Sequence, residues 1–153
     1  MFRRRARTAV AVAANVDAFG HVEAVRRGWE AFNHRDFAGA VRYLHPDGEA
    51  FPASSRRDPR GGGNAGRLRG RDEVSQFLEK MSNTWQHVTV ELREVIVAPD
   101  GRLLAVESWH IQGHGIDVEA MIVTVYAFRD GLVARLDAFL DRAEALEAVG
   151  RPA

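Results

Sequence analysis

Glu107 stands in the run Leu103-Leu-Ala-Val-Glu-Ser-Trp-His-Ile111, where strand alternation puts Ala105, Glu107, Trp109 and Ile111 on one face. A lone carboxyl on such a face works as a general acid or base, on water or on an acidic C–H. The condition is that burial lifts its pKa towards neutrality. The same side chain turned outward, or paired across strands with an arginine such as Arg135, would do no chemistry. Trp29, Phe51, Trp109 and Tyr126 are aromatics able to line an apolar pocket and grip a ring or a polyene. Large aromatics on periodic faces serve equally well as core.

Other candidate motifs lead less far. His110 and His114 flank Ile111-Gln112-Gly113, and His45 precedes Asp47 closely. A metal needs three or four converging ligands. The strand–turn spacing does not guarantee that these meet, and parity sets His110 opposite Glu107; no metal and no cofactor are expected. Gly61-Gly-Gly-Asn-Ala-Gly66 matches G-x-G-x-x-G, but it follows Arg56-Arg-Asp-Pro-Arg60 rather than a strand, and no βαβ unit surrounds it. Arg56, Arg57, Arg60, Arg67, Arg69 and Arg71 would draw an anion to a pocket mouth or simply keep a loop solvated, and the loop reading is preferred. No aromatic interleaves them, and Lys plus Arg equals Asp plus Glu at 21 each, so nucleic acid is not an expected partner. Cysteine is absent, which removes thiol nucleophiles and disulfides.

The elements that must position these residues are legible from periodicity. The length of 153 residues is that of one domain with a sizeable core. Val22, Val25, Trp29 and Phe32 share one helical face; Phe37, Val41 and Leu44 share another, ending where His45 precedes Pro46. Val74, Phe77, Leu78 and Met81 mark a third helix, opening near Gly70 with Asp72 and Glu73 in its first turn. Ser54 to Gly70, rich in Gly and Arg, reads as a mobile loop. Four strands follow, over about 86–97, 103–111, 117–128 and 132–140, joined at Pro99-Asp-Gly101, Gly113-His-Gly115 and Asp130-Gly131. They predict an antiparallel meander behind helices, an α+β domain. Asp141 to Val149 closes the chain as a helical turn or two. The opening Met-Phe-Arg-Arg-Arg and the run Thr8–Ala14 look superficially like a signal peptide. The apolar run is short, Ala-rich and ends at Asn15 and Asp17. It reads as an N-terminal extension, residues 1–19, ahead of a domain over 20–150. No run is long enough to span a membrane, and a cytoplasmic location is expected.

The order and length of these elements resemble the nuclear transport factor 2-like superfamily, whose small-molecule members include ketosteroid isomerases, limonene epoxide hydrolases and SnoaL-like polyketide cyclases. The resemblance is carried by Asn33-His-Arg-Asp36, His45-Pro-Asp-Gly-Glu-Ala-Phe-Pro52, Gly70-Arg-Asp-Glu-Val74, Phe128-Arg-Asp-Gly-Leu-Val133 and Leu140-Asp-Arg-Ala-Glu-Ala-Leu146. It implies a cone-shaped roll of three N-terminal helices on a curved, mainly antiparallel sheet, with a pocket between them. The isomerases' tyrosine, general-base aspartate and second acid map to Gly28, Pro52 and near Thr124, so that mechanism is not expected. The epoxide hydrolases' Arg–Asp pair and last-strand Asp map to Ala105, Glu107 and Ala138, leaving one acid of three. This mapping places the Glu107 face on the concave side.

Two readings follow. In the first the protein is a cyclase, isomerase or hydrolase acting on an apolar small molecule, with Glu107 as acid/base and Trp29, Phe51, Trp109, Thr124 and Tyr126 shaping the site. In the second it is a non-catalytic ligand-binding or dimerisation module of the same fold. The outer sheet face, with Val123 and Val125, would then suit a homodimer. A buried Glu107 beside empty volume favours the enzyme; a salt-bridged or outward one favours the module.

Overall fold

The computed structural model describes residues 9–11, 16–53 and 66–150. The elements run β1 (Ala9–Ala11), α1 (Val16–Asn33), α2 (Phe37–Ala40), a 3₁₀ turn (Val41–Tyr43), β2 (Leu44–Phe51), β3 (Leu68–Arg69) and α3 (Gly70–Thr84). The meander β4 (His87–Val97), β5 (Leu103–Gly113), β6 (Ile116–Arg129) and β7 (Leu132–Phe139) comes next, then α4 (Arg142–Gly150). The sheet order is β1-β4-β5-β6-β7-β2-β3. Meander pairs are antiparallel, whereas β1 lies parallel to β4 and β2 parallel to β7. The α+β architecture with a curved, mainly antiparallel sheet is as expected. Among the described residues no helix is long and apolar enough to cross a membrane.

Local chemistry explains the turns. After α1 the chain reverses through Arg35 at φ 61°, and Asp36 caps α2 by accepting from the Gly39 N–H at 2.9 Å. Asp130 and Gly131 both sit at positive φ, 56° and 78°, the two-residue geometry whose twist matches a hairpin.

The expected second helix, Phe37 to Leu44, is corrected: it breaks into α2 and a 3₁₀ turn, and Leu44 already begins a strand. That strand, β2, was read only as a motif. It pairs with β7 at Leu44 and again at Glu49–Phe51, with an irregularity between that takes up His45, Pro46 and Asp47. Gly48 in this stretch is buried, and a Cβ there would stand 2.9 Å from the Val133 carbonyl oxygen, so only glycine lets β2 approach β7. Part of the expected loop from Ser54 to Gly70 is also ordered. Leu68–Arg69 pairs with β2, and Arg71 donates to the Leu44 carbonyl at 2.7 Å, while residues 54–65, including most of the glycine motif, lie outside the described residues.

Apolar side chains divide onto the two faces of the sheet. On the concave face Val22, Val25 and Phe32 from α1 and Val74 and Leu78 from α3 pack on Val88, Val90, Leu92, Leu103, Ala105 and Tyr126. On the convex face Leu104, Val106, Val123, Val125 and Phe139 form a second cluster with Ala145 of α4. This corrects the basis given for an outer-face dimer. Val123 and Val125 do face outward, but they are 4% and 3% exposed because α4 covers them. Asp141 accepts from the Ala143 N–H at the start of α4, and Arg102 donates to the Ala148 and Val149 carbonyls at its end. The distal half of the convex face is mostly polar instead, with Met121 exposed on it beside a His110–Asp117 contact at 2.7 Å and Arg93 bridging Glu91 and Glu119.

Candidate functional site

Strand parity sets the site. In β5 the alternation that buries Leu104 and Val106 against α4 turns Ala105, Glu107, Trp109 and Ile111 to the concave side. In β6 the same alternation brings Ala120, Ile122, Thr124 and Tyr126 to that side. Beside Glu107 the register of β4 slips between Leu92 and Glu94, a bulge that tightens the local twist. The helices do not close down fully on this face. They leave a cavity of about 540 Å³ whose walls include Gly28 and Trp29 of α1, Val74, Phe77 and Met81 of α3, and Glu107, Trp109, Thr124 and Tyr126 of the sheet. The walls are almost wholly apolar, and among the described residues no Lys, Arg or His lines them. The size falls within the usual range for small-molecule sites.

Glu107 is fully buried, 0% exposed, and the only carboxyl lining this cavity among the described residues. Among the described residues no cation pairs with it; Arg135, considered as its partner, binds Asp137 at 2.8 Å. Its carboxyl is held by three neutral donors. Tyr126 Oη donates to Oε2 at 2.5 Å, Thr124 Oγ1 to Oε1 at 3.0 Å, and Trp29 Nε1 to Oε2 at 3.1 Å. Trp29 Nε1 also lies 3.0 Å from Tyr126 Oη, so one indole N–H ties the other two groups together. Burial pushes the Glu107 pKa up from 4.5 to about 7, and the hydrogen bonds from Tyr126, Thr124 and Trp29 oppose that rise. Burial, and then the nearby Glu107 charge, hold the Tyr126 phenol well above its ordinary value, so it remains a donor. Such a carboxyl exchanges a proton near neutral pH, which is what general acid–base work requires.

Four sequence candidates therefore meet Glu107 in one cluster: Trp29, Trp109, Thr124 and Tyr126. Trp29 and Trp109 pack edge to face with centroids 5.1 Å apart. Phe51 does not join them. Its neighbours Ala50 and Pro52 line the cavity, whereas its own ring lies under the Arg135 guanidinium at 4.5 Å. The histidines are scattered. His110 is on the convex face, His114 contacts the Thr84 carbonyl at 2.8 Å, and His45 contacts Arg129. No group of three His, Asp or Glu placed to hold a metal occurs among the described residues. Of the positions that the resemblance singled out, Gly28, Pro52, Glu107, Thr124 and Ala138 line the cavity and Ala105 is not among the lining residues. The sequence reading missed Asn33. Its side-chain amide donates to the Val90 carbonyl and accepts from the Val90 N–H, both at 2.8 Å, fixing the end of α1 to β4. It was named from the sequence only within the Asn33-His-Arg-Asp36 motif, and its further signal was a spacing of four from Trp29, which puts both on one helical face.

The sequence pattern of the SnoaL-like domain matches residues 25–136. The chain belongs to the SnoaL-like domain family. Among solved structures, Bal32a from a soil-derived mobile gene cassette is 21% identical at a TM-score of 0.68, covering 88% of this chain and 99% of its own. TerC, crystallised with polyporic acid, is 22% identical at 0.65, covering 86% and 99%. RV0760c from Mycobacterium tuberculosis, in complex with estradiol-17beta-hemisuccinate, is 16% identical at 0.63, covering 78% and 92%. At these identities the likeness is one of fold. No curated protein matches the SnoaL-like chain in sequence.

Proposed function

We propose that this SnoaL-like protein is an enzyme that moves a proton on an apolar small molecule held in the cavity. Its reaction would be an isomerisation, cyclisation or hydrolysis with Glu107 as acid/base. One observation carries the reading: a carboxyl with no counter-cation among the described residues sits buried against apolar cavity volume, with its pKa raised to about 7. A carboxylate kept only for structure is normally paired or solvated, because an unpaired buried charge is costly. Here the cost is met by protonation, which leaves a group equally ready to give or take a proton at neutral pH.

The surrounding donors suit this role. Tyr126, Thr124 and Trp29 stabilise the carboxylate once the proton has left, and none competes with it as a base. An apolar wall excludes water and strengthens each of these bonds. The ligands named for TerC and RV0760c agree with a pocket of this kind in the fold.

The test begins with thermal stability against steroids, terpenoid epoxides, polyketide aromatics and long-chain acids. A ligand at a hundred times its dissociation constant adds about 2.7 kcal/mol. With a binding class in hand, Glu107→Gln is expected to abolish turnover while the ligand still binds. Turnover that survives this substitution would remove Glu107 as the acid/base, and a wild-type protein that binds the ligand without turning it over would leave the cavity as a binding site alone.

A further inference from the structure

The donors around Glu107 are not all in use. Trp29 Nε1 serves both Glu107 and Tyr126, and the Tyr126 and Thr124 hydroxyls are committed to the carboxyl. Trp109 Nε1 differs. It is buried from solvent yet has no hydrogen-bond partner, alone in this among the described side chains. It stands near enough to Glu107 to favour the charged carboxyl, the weakest of four such influences, without making a bond of proper geometry. A buried N–H left unpaired is uncommon, because desolvation without a replacement acceptor is costly. Trp109 lines the cavity, and its cross-strand neighbours are the smaller Val90 and Ala120.

We propose that the Trp109 indole N–H is the anchoring donor for the ligand, taking a neutral oxygen acceptor such as a carbonyl and setting the ligand's orientation beside Glu107. The inference rests on the reading of the cavity as a ligand site. The acceptor is neutral because the described residues of the lining include no cation, so a carboxylate or phosphate would stand uncompensated among them, next to a carboxyl that itself ionises. It is an acceptor because an indole N–H only donates. The remaining wall, including Phe77, Met81, Ile122 and Leu136, supplies the apolar grip.

The experiment uses two probes of nearly one shape, 9-fluorenone and fluorene, which differ by a carbonyl oxygen. Dissociation constants are measured by titration calorimetry for the wild-type protein and Trp109→Phe. The wild type is expected to prefer fluorenone by about tenfold, the worth of one buried hydrogen bond, and Trp109→Phe to lose that preference while holding fluorene as before. The indole ¹⁵N–¹H resonance of Trp109, followed in the wild-type protein, is expected to move on adding fluorenone and hardly at all on adding fluorene. This second readout stands even if Trp109→Phe is poorly folded. Equal affinities with an indole signal indifferent to the oxygen would overturn the anchoring role while leaving the cavity a ligand site. Failure of both probes to bind would overturn the cavity reading and the anchor with it. Turnover retained by Glu107→Gln would count against the proposed reaction and leave the anchor untouched.

Discussion

Replacing Glu107 by Gln removes a titration and little else. The amide keeps the shape of the carboxyl; its oxygen accepts from Tyr126 and Trp29, and its nitrogen donates to Thr124 Oγ1. In the wild type, burial raises the pKa from 4.5 to about 7. The folded protein therefore holds this proton more tightly than the unfolded chain. The stability that results is complete below pH 4.5 and is lost as pH rises through 7. At about 1.4 kcal/mol per pH unit, the loss is about 3 kcal/mol, which is roughly 6–12 °C in Tm for a chain of this size. The assay is equilibrium urea unfolding of both proteins at pH 4.5, 7 and 9. Every other titrating group is shared, so the difference between the curves isolates Glu107. The two are expected to be nearly equal at pH 4.5, with Glu107→Gln the more stable by about 3 kcal/mol at pH 9. A difference that stays constant with pH, or favours the wild type at pH 9, would refute the claim that this carboxyl is buried without compensation.

Tyr126→Phe removes the strongest of the hydrogen bonds that favour ionised Glu107, so its pKa moves further up. The alkaline loss of stability then shifts to higher pH, read from the same urea series. Asn33→Ala leaves both backbone groups of the buried Val90 without this partner and is expected to cost about 2–3 kcal/mol, seen as a lower urea midpoint with unchanged slope. If Glu107 acts as a base, turnover of an identified substrate rises with pH to a plateau above about 7; if it acts as an acid, the profile falls over the same interval. A flat profile would remove Glu107 from the rate-determining proton transfer.

The meander and α3 were legible because their cores repeat at periods of two and of three to four. Leu103 to Ile111 opens on four apolar residues in a row, buried on both faces of the sheet, and the two-residue parity of a strand placed Glu107 and Trp109 on one face. β2 was not legible. Leu44 to Phe51 contains Pro46, Asp47 and Gly48, carries no alternation, and owes its strand geometry to pairing with β7 about 90 residues later in the chain. The same non-locality hid the fate of Val123 and Val125. Their outward parity was correct, but whether α4 would cover them depends on where the last helix lands. Phe51 failed to reach the cluster for a simpler reason. It alternates with Ala50, and Ala50 took the inward place. The network around Glu107 was only half visible. Parity gives which side chains share a face, yet the double use of the Trp29 N–H depends on how α1 docks, and that docking is fixed by Asn33.

Asn33 has a consequence beyond the site. A sheet ends somewhere, and an open edge offers its unpaired N–H and C=O groups to any passing strand, the usual start of intermolecular aggregation. Here the outermost strands are three residues at one end and two at the other, too short to template a neighbour. Among the described residues β1 pairs with β4 at Glu94 to Ile96, and the amide of Asn33 pairs with the edge again at Val90 as a single residue of a neighbouring strand would. A side chain that fixes helix to sheet thus also occupies the two backbone groups through which a neighbouring strand would pair at Val90.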